Sequence, residues 1–359
     1  MTRTFVIAEA GLNHNGDLAL AEKLVDVAAQ AGADAVKFQT FQAARLVSKH
    51  ARKAAYQERT TGEHESQLAM IKKLELPEAD HYVLKARAIE KKIAFLSTPF
   101  DEESVSLLTK VGVDRLMVSS GDLTNGPLLE RIASAGLPVV LSTGMGDLGE
   151  VEEALDRLAA GYLAHAGAGL PQGASRKRLA HRPDARALLE RNLTILHCTT
   201  EYPAPPSQVN LRAMQTLKDA FGLPIGYSDH TAGIAVSLAA VALGATLIEK
   251  HFTLDKSLPG PDHVASLTPE ELTDLVRGIR VIEAALGDGR KHPTEAEIPN
   301  IAVARRSIVA KTAIKAGETL TLENLVMKRP GTGISPMRLD DVVGKRALRD
   351  YEEDELLDK

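Results

Sequence analysis

Eight short apolar runs recur along roughly the first three-quarters of the chain, and they constrain the fold more than any other feature of the sequence. Each run is rich in Val, Ile, Leu or Phe, which is typical of parallel strands that are buried on both faces of a sheet. The runs occupy residues 5–11, 34–39, 93–98, 114–120, 137–143, 193–199, 223–228 and 246–252.

The segments between these runs carry the periodicity of amphipathic helices. In the first of them, Leu20, Leu24 and Val27 recur on one face, and Gly32 marks a C-terminal stop. Eight strands that alternate with helices over about 290 residues predict an α/β fold, the (β/α)₈ TIM barrel. A doubly wound open sheet is the structural alternative.

The last part of the chain has a different pattern, with short β-like pieces separated by turn signals. The polar stretch GDGRKHPTEAEIPN separates it from the predicted barrel. We therefore place a barrel domain at residues 1–290, a linker at 291–300 and a small β-rich domain at 301–359. Arg329 lies on a predicted loop of the small domain, where composition alone favours a solvent-exposed charge.

Composition argues against several classes of partner. A net charge of -5 without a dense basic block argues against nucleic acid. No run approaches the roughly 20 apolar residues that a membrane span requires. The single cysteine, Cys198, excludes an internal disulfide and fits a reducing compartment. Because residues 1–11 lack the apolar core of a signal peptide, we expect a cytoplasmic protein.

Polar side chains end every predicted strand. In a TIM barrel the C-terminal ends of the strands form the active site, and polar groups within apolar strands are costly without partners. The sequence therefore predicts one convergent site. Its candidate members are Glu9, Lys37, Gln39, Ser97, Thr98, Ser119, Ser120, Asp122, Ser142, Thr143, His197, Ser228, Asp229, His230, Glu249 and His251.

Three kinds of chemistry are available in this set. His230 and His251 end neighbouring strands and could hold a divalent metal, although hydrogen-bonded structural histidines are the alternative. Glu9 and Asp122 could divide general acid and base work, or either could pair with Lys37 in a structural ion pair. Lys37 itself could hold an anion or form a Schiff base.

Nine motifs in a fixed order resemble the sialic acid synthase family. They are IAEAGLNHNGD, DAVKFQT, STPFD, SSGDLTN, LSTGM, LHCTTEYPAP, GYSDHT, LIEKHFT and PGPDH. Residues 306–359 are similar to the small C-terminal antifreeze-like (SAF) domain of that family. The resemblance implies an enzyme that condenses phosphoenolpyruvate with an N-acylated sugar aldehyde. It also implies a divalent metal, Mn²⁺ with Mg²⁺ or Co²⁺ as alternatives, and a domain-swapped homodimer.

The same resemblance implies roles for individual residues. His230 and His251 would bind the metal, and Glu9 and Asp122 would be the catalytic carboxylates. The residues implied to bind phosphoenolpyruvate are Lys37, Thr98, Ser120, Ser142, Thr200 and Ser228. Those implied to bind the sugar are Gln39, Tyr202, Asp262 and Arg329. Arg329 is similar to an arginine that a second subunit's small domain supplies in the family, which reverses the interpretation from composition.

The long stretch at residues 164–191, together with CTTEYPAP and VNLRAM, resembles the branch that makes N,N'-diacetyllegionaminic acid. As a helix-to-strand connection, this stretch is expected to lie at the face of the barrel away from the site. Three alternatives remain open at this point. They are an N-acetylneuraminate synthase acting on N-acetylmannosamine, a metal-free Schiff-base aldolase using Lys37 or Lys250, and a non-catalytic binding protein.

Two positions depart from the family pattern. Met117 stands where family members usually carry lysine, and Thr200 stands where the bacterial neuraminate enzymes tend to have asparagine. The missing cation should weaken the grip on phosphoenolpyruvate and raise its KM. We predict that Met117→Lys lowers this KM in steady-state kinetics, and an unchanged or higher KM would count against the alignment of these motifs.

Overall fold

The computed structural model describes residues 3–62, 65–171 and 173–358. The chain forms two compact units, Met1–Gly287 and Asp288–Lys359, where the sequence had suggested a boundary at residue 290. Among the described residues, no helix is both long enough and apolar enough to cross a membrane.

Eight parallel strands form the sheet of the first unit. They are β1 (Phe5–Gly11), β2 (Ala35–Thr40), β3 (Ala94–Pro99), β4 (Leu116–Val118), β5 (Val139–Ser142), β6 (Leu193–Cys198), β7 (Ile225–Asp229) and β8 (Leu247–His251). Each strand coincides with one of the eight apolar runs to within a residue or two, except that β4 is much shorter than predicted.

The strands follow the order β3-β2-β1-β8-β7-β6-β5-β4, and the ladders between them are parallel. β3 and β4, at the two ends of this order, pack against each other, so the sheet curls into a nearly closed barrel. The three residues of β4 leave little backbone for a ladder with β3. The predicted TIM barrel is confirmed, and the open sheet is excluded.

Helices separate the strands and cover the barrel. In the first unit they are α1 (Leu18–Gln30), α2 (Ala43–Leu46), α3 (Ala55–Thr61), α4 (Gln67–Lys72), α5 (Glu78–Lys91), α6 (Glu102–Val111), α7 (Gly126–Ser134), α8 (Leu148–His165), α9 (Pro183–Asn192), α10 (Ala213–Phe221), α11 (Ala235–Ala242) and α12 (Pro269–Ala285). Local sequence fixes several of their starts. Asp101 caps α6 by accepting a bond from the Ser104 N–H at 2.7 Å, and Asp147 and Glu150 form a capping box at α8.

The apolar core has two layers, and the alternation of side chains along each strand separates them. On β1, Val6 and Ala8 belong to the layer between the sheet and the helices, whereas Ile7 belongs to a cluster inside the barrel. Leu96 and Leu196 join Ile7 in that inner cluster. Polar residues two positions beyond an inner apolar residue therefore face the interior of the barrel.

The connection from α8 to β6 only partly follows its prediction. Apart from Gln172, which lies outside the described residues, the stretch at 164–191 returns along α8 instead of staying at the N-terminal face. The Asp156 carboxylate accepts bonds from Arg178 N–H and Ala180 N–H at 2.7 and 2.8 Å. His181 Nε2 lies 2.9 Å from Glu152 Oε1. Helix α9, which follows this stretch and leads into β6, packs against α8.

The second unit contains the small β-rich domain. Its antiparallel strands β9 (Ser307–Ala310) and β10 (Leu325–Lys328) are supplemented by isolated bridges such as Ile314 to Tyr351. Ile308, Ile314 and Tyr351 contribute to its own apolar core. Helix α13 (Ile298–Ala304) begins within the stretch predicted as a linker at 291–300, and the linker bounds stay a prediction.

Candidate active site

Strand alternation brings three charged side chains to the interior of the barrel at the C-terminal ends of its strands. Glu9 on β1, Lys37 on β2 and Glu249 on β8 each lie two positions beyond an apolar residue of the inner cluster. Those apolar residues are Ile7, Ala35 and Leu247. The inner cluster closes the barrel below the three charges, so they form the floor of a site.

A cavity of about 340 Å³ lies at this position. Twelve of the fourteen residues to which the family resemblance gives a role line it, drawn from all eight strands or the loops that follow them. They are Glu9, Lys37, Gln39, Thr98, Ser120, Ser142, Thr200, Tyr202, Ser228, His230, His251 and Asp262. The structure therefore brings together the residues proposed for the metal, for phosphoenolpyruvate and, apart from Arg329, for the sugar.

Lys37 occupies the centre of the floor. Its Nζ lies 3.0 Å from Glu9 Oε2 and 3.4 Å from Glu249 Oε2, and it donates a hydrogen bond to Thr98 Oγ1 at 2.9 Å. All four side chains are buried. A buried ammonium is stable only when such partners compensate for lost hydration. The Glu249 carboxylate, with Glu9 Oε2 and Thr98 Oγ1 as further oxygen partners, holds Lys37 in its charged form.

The pKa values of this cluster follow from burial and mutual charge. Desolvation raises the pKa of Glu9 to about 8, with Glu249 adding to the rise and Lys37 opposing it. Desolvation alone would lower the pKa of Lys37, but its charge and hydrogen-bond interactions with Glu249 and Glu9 outweigh it and raise that pKa. At neutral pH Glu9 therefore carries a proton. Lys37 stays charged and is a poor nucleophile, which argues against the Schiff-base alternative at this residue.

Two imidazoles stand beside this cluster. The ring centroids of His230 and His251 are 5.6 Å apart, and both rings are buried. His230 Nδ1 donates to the Thr199 carbonyl at 2.6 Å, which leaves Nε2 with a lone pair, 3.3 Å from Ser228 Oγ. Desolvation lowers the pKa of both histidines, and the charge of Lys37 contributes at His251. Both are thus neutral, the form that binds metals.

The donor set fits a divalent ion. Among the residues that the structure describes, His251 Nδ1 is buried without a hydrogen-bond partner, which is costly unless another ligand satisfies it. An imidazole nitrogen binds such ions at about 2.0–2.1 Å, so two rings this close can share one ion. Within the described residues no group of three or more His, Cys, Asp or Glu side chains could hold a metal. Two histidines would therefore leave the other coordination positions open to water or substrate.

Aromatic rings form one wall of the cavity. The Tyr202 ring lies 4.2 Å from the His230 ring at an interplanar angle of 30°, and 5.5 Å from the His251 ring at 87°. Tyr56, on α3, lies 5.0 Å from Tyr202. Asp262 also faces this region, and burial raises its pKa to about 6. Tyr202 thus packs against both imidazoles and orients them.

Hydroxyl groups line another part of the cavity. Ser120 Oγ accepts a hydrogen bond from Gly144 N–H at 3.0 Å and lies 3.2 Å from Cys198 Sγ. Among the described residues, Thr200 Oγ1 is buried without a partner and is available to an anion. A Cβ at Gly144 would come within 2.3 Å of Thr200 Oγ1, so only glycine fits between these groups.

Several predicted members do not reach the cavity. Asp122 lies in a 3₁₀ turn at Ser120–Asp122, accepts a hydrogen bond from Asn125 Nδ2 at 3.0 Å, and is absent from the lining. Burial raises its pKa, but its catalytic role stays a prediction. Ser97 and His197 face the outer layer. Ser97 Oγ bonds Thr40 Oγ1 at 2.6 Å, and His197 Nε2 bonds the Val209 carbonyl at 2.6 Å.

Three residues that line the cavity have no role assigned from the sequence: Glu249, Cys198 and Tyr56. Glu249 is one of the polar residues at strand ends, and Cys198 by itself indicates only a reducing compartment. The alternation of side chains would have revealed Glu249, because it lies two positions before His251 on the same strand. Tyr56 had no such signal, because it comes from the long connection between β2 and α5.

Comparison with known proteins identifies the family. Residues 24–291 match the NeuB family, and residues 305–359 match the SAF domain. The chain belongs to the NeuB family.

Relatives of this NeuB-family protein extend over nearly its whole length. It is 52% identical to the N,N'-diacetyllegionaminic acid synthase of Campylobacter jejuni, with 99% of each chain covered. It is 49% identical to the enzyme of that name from Legionella pneumophila, with 95% of this chain and 90% of the relative covered. The crystal structure of the N-acetylneuraminic acid synthetase of Leptospira borgpetersenii, in complex with citrate, matches with a TM-score of 0.67 and 36% identity. That match covers 83% of this chain and 90% of the other.

The raised pKa of Glu9 predicts a measurable dependence of stability on pH. A carboxyl whose pKa rises from 4.5 in the unfolded chain to about 8 in the folded protein loses stability as the pH rises through that window. The Tm of Glu9→Gln minus the Tm of the wild type should therefore increase between about pH 4.5 and pH 8 and stay constant above pH 8.

Differential scanning calorimetry across this range tests the prediction. The matched control is Glu153→Gln, which changes an exposed glutamate on α8 and should give a curve parallel to that of the wild type. A parallel curve for Glu9→Gln as well would show that the Glu9 carboxyl ionises normally in the folded protein.

Proposed function

We propose that this protein is an N,N'-diacetyllegionaminic acid synthase. It would join phosphoenolpyruvate to an N-acylated 6-deoxymannosamine-type sugar and release phosphate by C–O cleavage. The observation that carries this proposal is the convergence of a charged lysine, two carboxyl groups and two neutral imidazoles in one cavity of the barrel. The near full-length identity to two synthases of that name supports the choice of product.

His230 and His251 are proposed to hold the metal, with Mn²⁺ preferred and Mg²⁺ or Co²⁺ as alternatives. When bound, such an ion supplies Lewis-acid polarisation of the sugar aldehyde. The protein's own contribution is to keep both imidazoles neutral by burial and to orient them through Tyr202 and the Thr199 carbonyl.

Lys37 and the hydroxyl groups would bind phosphoenolpyruvate. The Lys37 ammonium is the charged donor on the cavity floor, and Thr98 Oγ1 is fixed beside it. Ser120, Ser142, Thr200 and Ser228 add hydroxyls that can donate to carboxylate or phosphate oxygens. Met117 lines the same cavity, so the cation usual at that position in the family is absent here.

The two carboxyl groups beside Lys37 would move the protons. As C3 of phosphoenolpyruvate bonds to the aldehyde carbon, the aldehyde oxygen needs a proton, which protonated Glu9 can supply. Water then adds at C2 and passes one proton to a carboxylate. The second proton leaves with phosphate as the C–O bond breaks and C2 becomes a ketone. Asp122, which the family resemblance implies as a catalytic carboxylate, is absent from the cavity lining. Glu249 lines the cavity and accepts a hydrogen bond from Ser228 at 2.8 Å, so it is the base that we prefer.

An apolar wall favours the diacetamido acceptor over N-acetylmannosamine. It is formed by side chains of the loop after β1, of the β3 end and of the connection that carries α2 and α4. Its members are Leu12, Phe41, Leu46, Ile71 and Phe100. The second acetamido methyl and the methyl at C6 of the preferred sugar are apolar groups that such a wall can bury.

Arg329 and a second subunit are proposed to complete the sugar site. In its own unit Arg329 is exposed, and its Nε donates to the Ala304 carbonyl at 3.0 Å. Its terminal nitrogens can therefore donate to a ligand. A domain-swapped homodimer would supply this side chain from the other copy, and a monomer in analytical ultracentrifugation would contradict that arrangement.

Phosphate release tests the proposed function. With Mn²⁺ and phosphoenolpyruvate, the 2,4-diacetamido-6-deoxy sugar should give a kcat/KM roughly 10–200-fold above that of N-acetylmannosamine, the range for burial of one small apolar group. Chelation and His230→Ala should both abolish turnover. His165→Gln, which changes an exposed histidine at the end of α8, should not.

The possible results test the product, the synthase activity and the metal separately. Equal rates, or a preference for N-acetylmannosamine, would leave a synthase but reject the legionaminic acid product. No phosphate release with either sugar would reject the synthase. Full activity after thorough chelation would reject the metal.

A further inference from the structure

A buried ion pair lies directly behind the two cavity histidines. Asp229 Oδ2 and Lys250 Nζ are 3.0 Å apart, and both side chains are 0% exposed. Asp229 and Lys250 are partners in the β7–β8 ladder, and each immediately precedes one of the histidines, His230 and His251. The alternation of side chains places Lys250 on the helix-facing side of β8, opposite the cavity.

Directional hydrogen bonds surround this pair. Asp229 Oδ1 accepts from Thr231 N–H at 2.8 Å and from Tyr227 OH at 3.4 Å, and Oδ2 accepts from Ser237 Oγ at 2.6 Å. Lys250 Nζ donates to the Thr231 carbonyl at 2.5 Å. The pair therefore makes hydrogen bonds to both the N–H and the carbonyl of Thr231, the residue that follows His230.

These contacts take over where the strand ladder ends. Asp229 with Lys250 is the last paired position between β7 and β8, so backbone pairing does not extend to His230. The ion pair ties the residues on either side of His230 to the residue before His251.

Stability alone does not account for a pair of this kind. Removing two charges from water is costly, and an apolar pair of similar volume often gives equal or greater stability. An apolar pair, however, has no donor or acceptor with which to hold the backbone of Thr231. The charged pair therefore contributes directional hydrogen bonds to the Thr231 backbone and not net stabilisation.

We propose that Asp229 and Lys250 are positioning residues that set the separation of His230 and His251 for binding one divalent ion. This inference rests on the metal centre of the proposed function. Neither side chain lines the cavity, so both act through the histidines and not on the substrate.

The test measures Mn²⁺ affinity and thermal stability separately. Electron paramagnetic resonance of free Mn²⁺ gives the Kd, and calorimetry gives the Tm. The variants are Asp229→Asn, which leaves Lys250 without its charge partner, and the apolar pair Asp229→Leu with Lys250→Met. The matched control is Asp26→Leu with Arg87→Met, which removes an ion pair between α1 and α5 whose two contacts are 2.8 and 2.7 Å.

We expect the apolar pair to restore thermal stability without restoring Mn²⁺ affinity. Asp229→Asn should lower the Tm and weaken Mn²⁺ binding about 10–100-fold, the usual effect of losing a group that orients a metal ligand. The apolar pair should regain most of the Tm but keep the weakened Kd. The α1–α5 control should change the Tm and leave the Kd as in the wild type.

Three results would overturn the inference. Recovery of the Kd together with the Tm in the apolar pair would show a purely structural role, as would an unchanged Kd in both Asp229 variants. If Asp229→Asn does not fold, the apolar pair decides by itself. A wild-type protein that binds no Mn²⁺ would overturn both the inference and the proposed metal centre, and phosphate release would then show whether the synthase survives.

Discussion

The site depends on one buried ammonium. Lys37 sits at the top of an apolar barrel interior, where a lone charge would be too costly to keep. Glu9 and Glu249 flank it at 3.0 and 3.4 Å and make the charge tolerable. The same crowding keeps a proton on Glu9, since burial and the second carboxylate both raise its pKa. One constraint thus yields an anion-binding cation and a proton donor side by side.

Because side chains alternate along each strand, the inner and outer faces of the barrel strands have different roles. Inner positions of the strands carry the charged and imidazole groups of the cavity. The outer position before each cavity histidine carries Asp229 or Lys250, and these two pair across β7 and β8. Residues on the helix-facing side of β7 and β8 therefore position the histidines on the cavity-facing side. A site of this kind needs both layers, because each strand can point only every second residue at the cavity.

The sequence predicted much of this arrangement, and the failures have physical causes. All eight strands, the barrel and twelve of the fourteen site residues in their common cavity follow from apolar runs, strand ends and family motifs. Treating every polar residue at a strand end as convergent ignores alternation, so Ser97 and His197 were expected in the site although their side chains face the helices. Glu249 was expected there correctly, but without a specific role. The path of residues 164–191 and the position of Tyr56 depend on tertiary packing, which local periodicity does not encode.

The measurement that tests the central claim most directly is anomalous diffraction at the manganese edge, from crystals grown with Mn²⁺ and phosphoenolpyruvate. The account predicts one strong peak in the cavity, bonded to a ring nitrogen of His230 and of His251. It also predicts an anionic group of phosphoenolpyruvate against the Lys37 ammonium. A peak away from both histidines, or phosphoenolpyruvate bound outside the barrel cavity, would contradict the account.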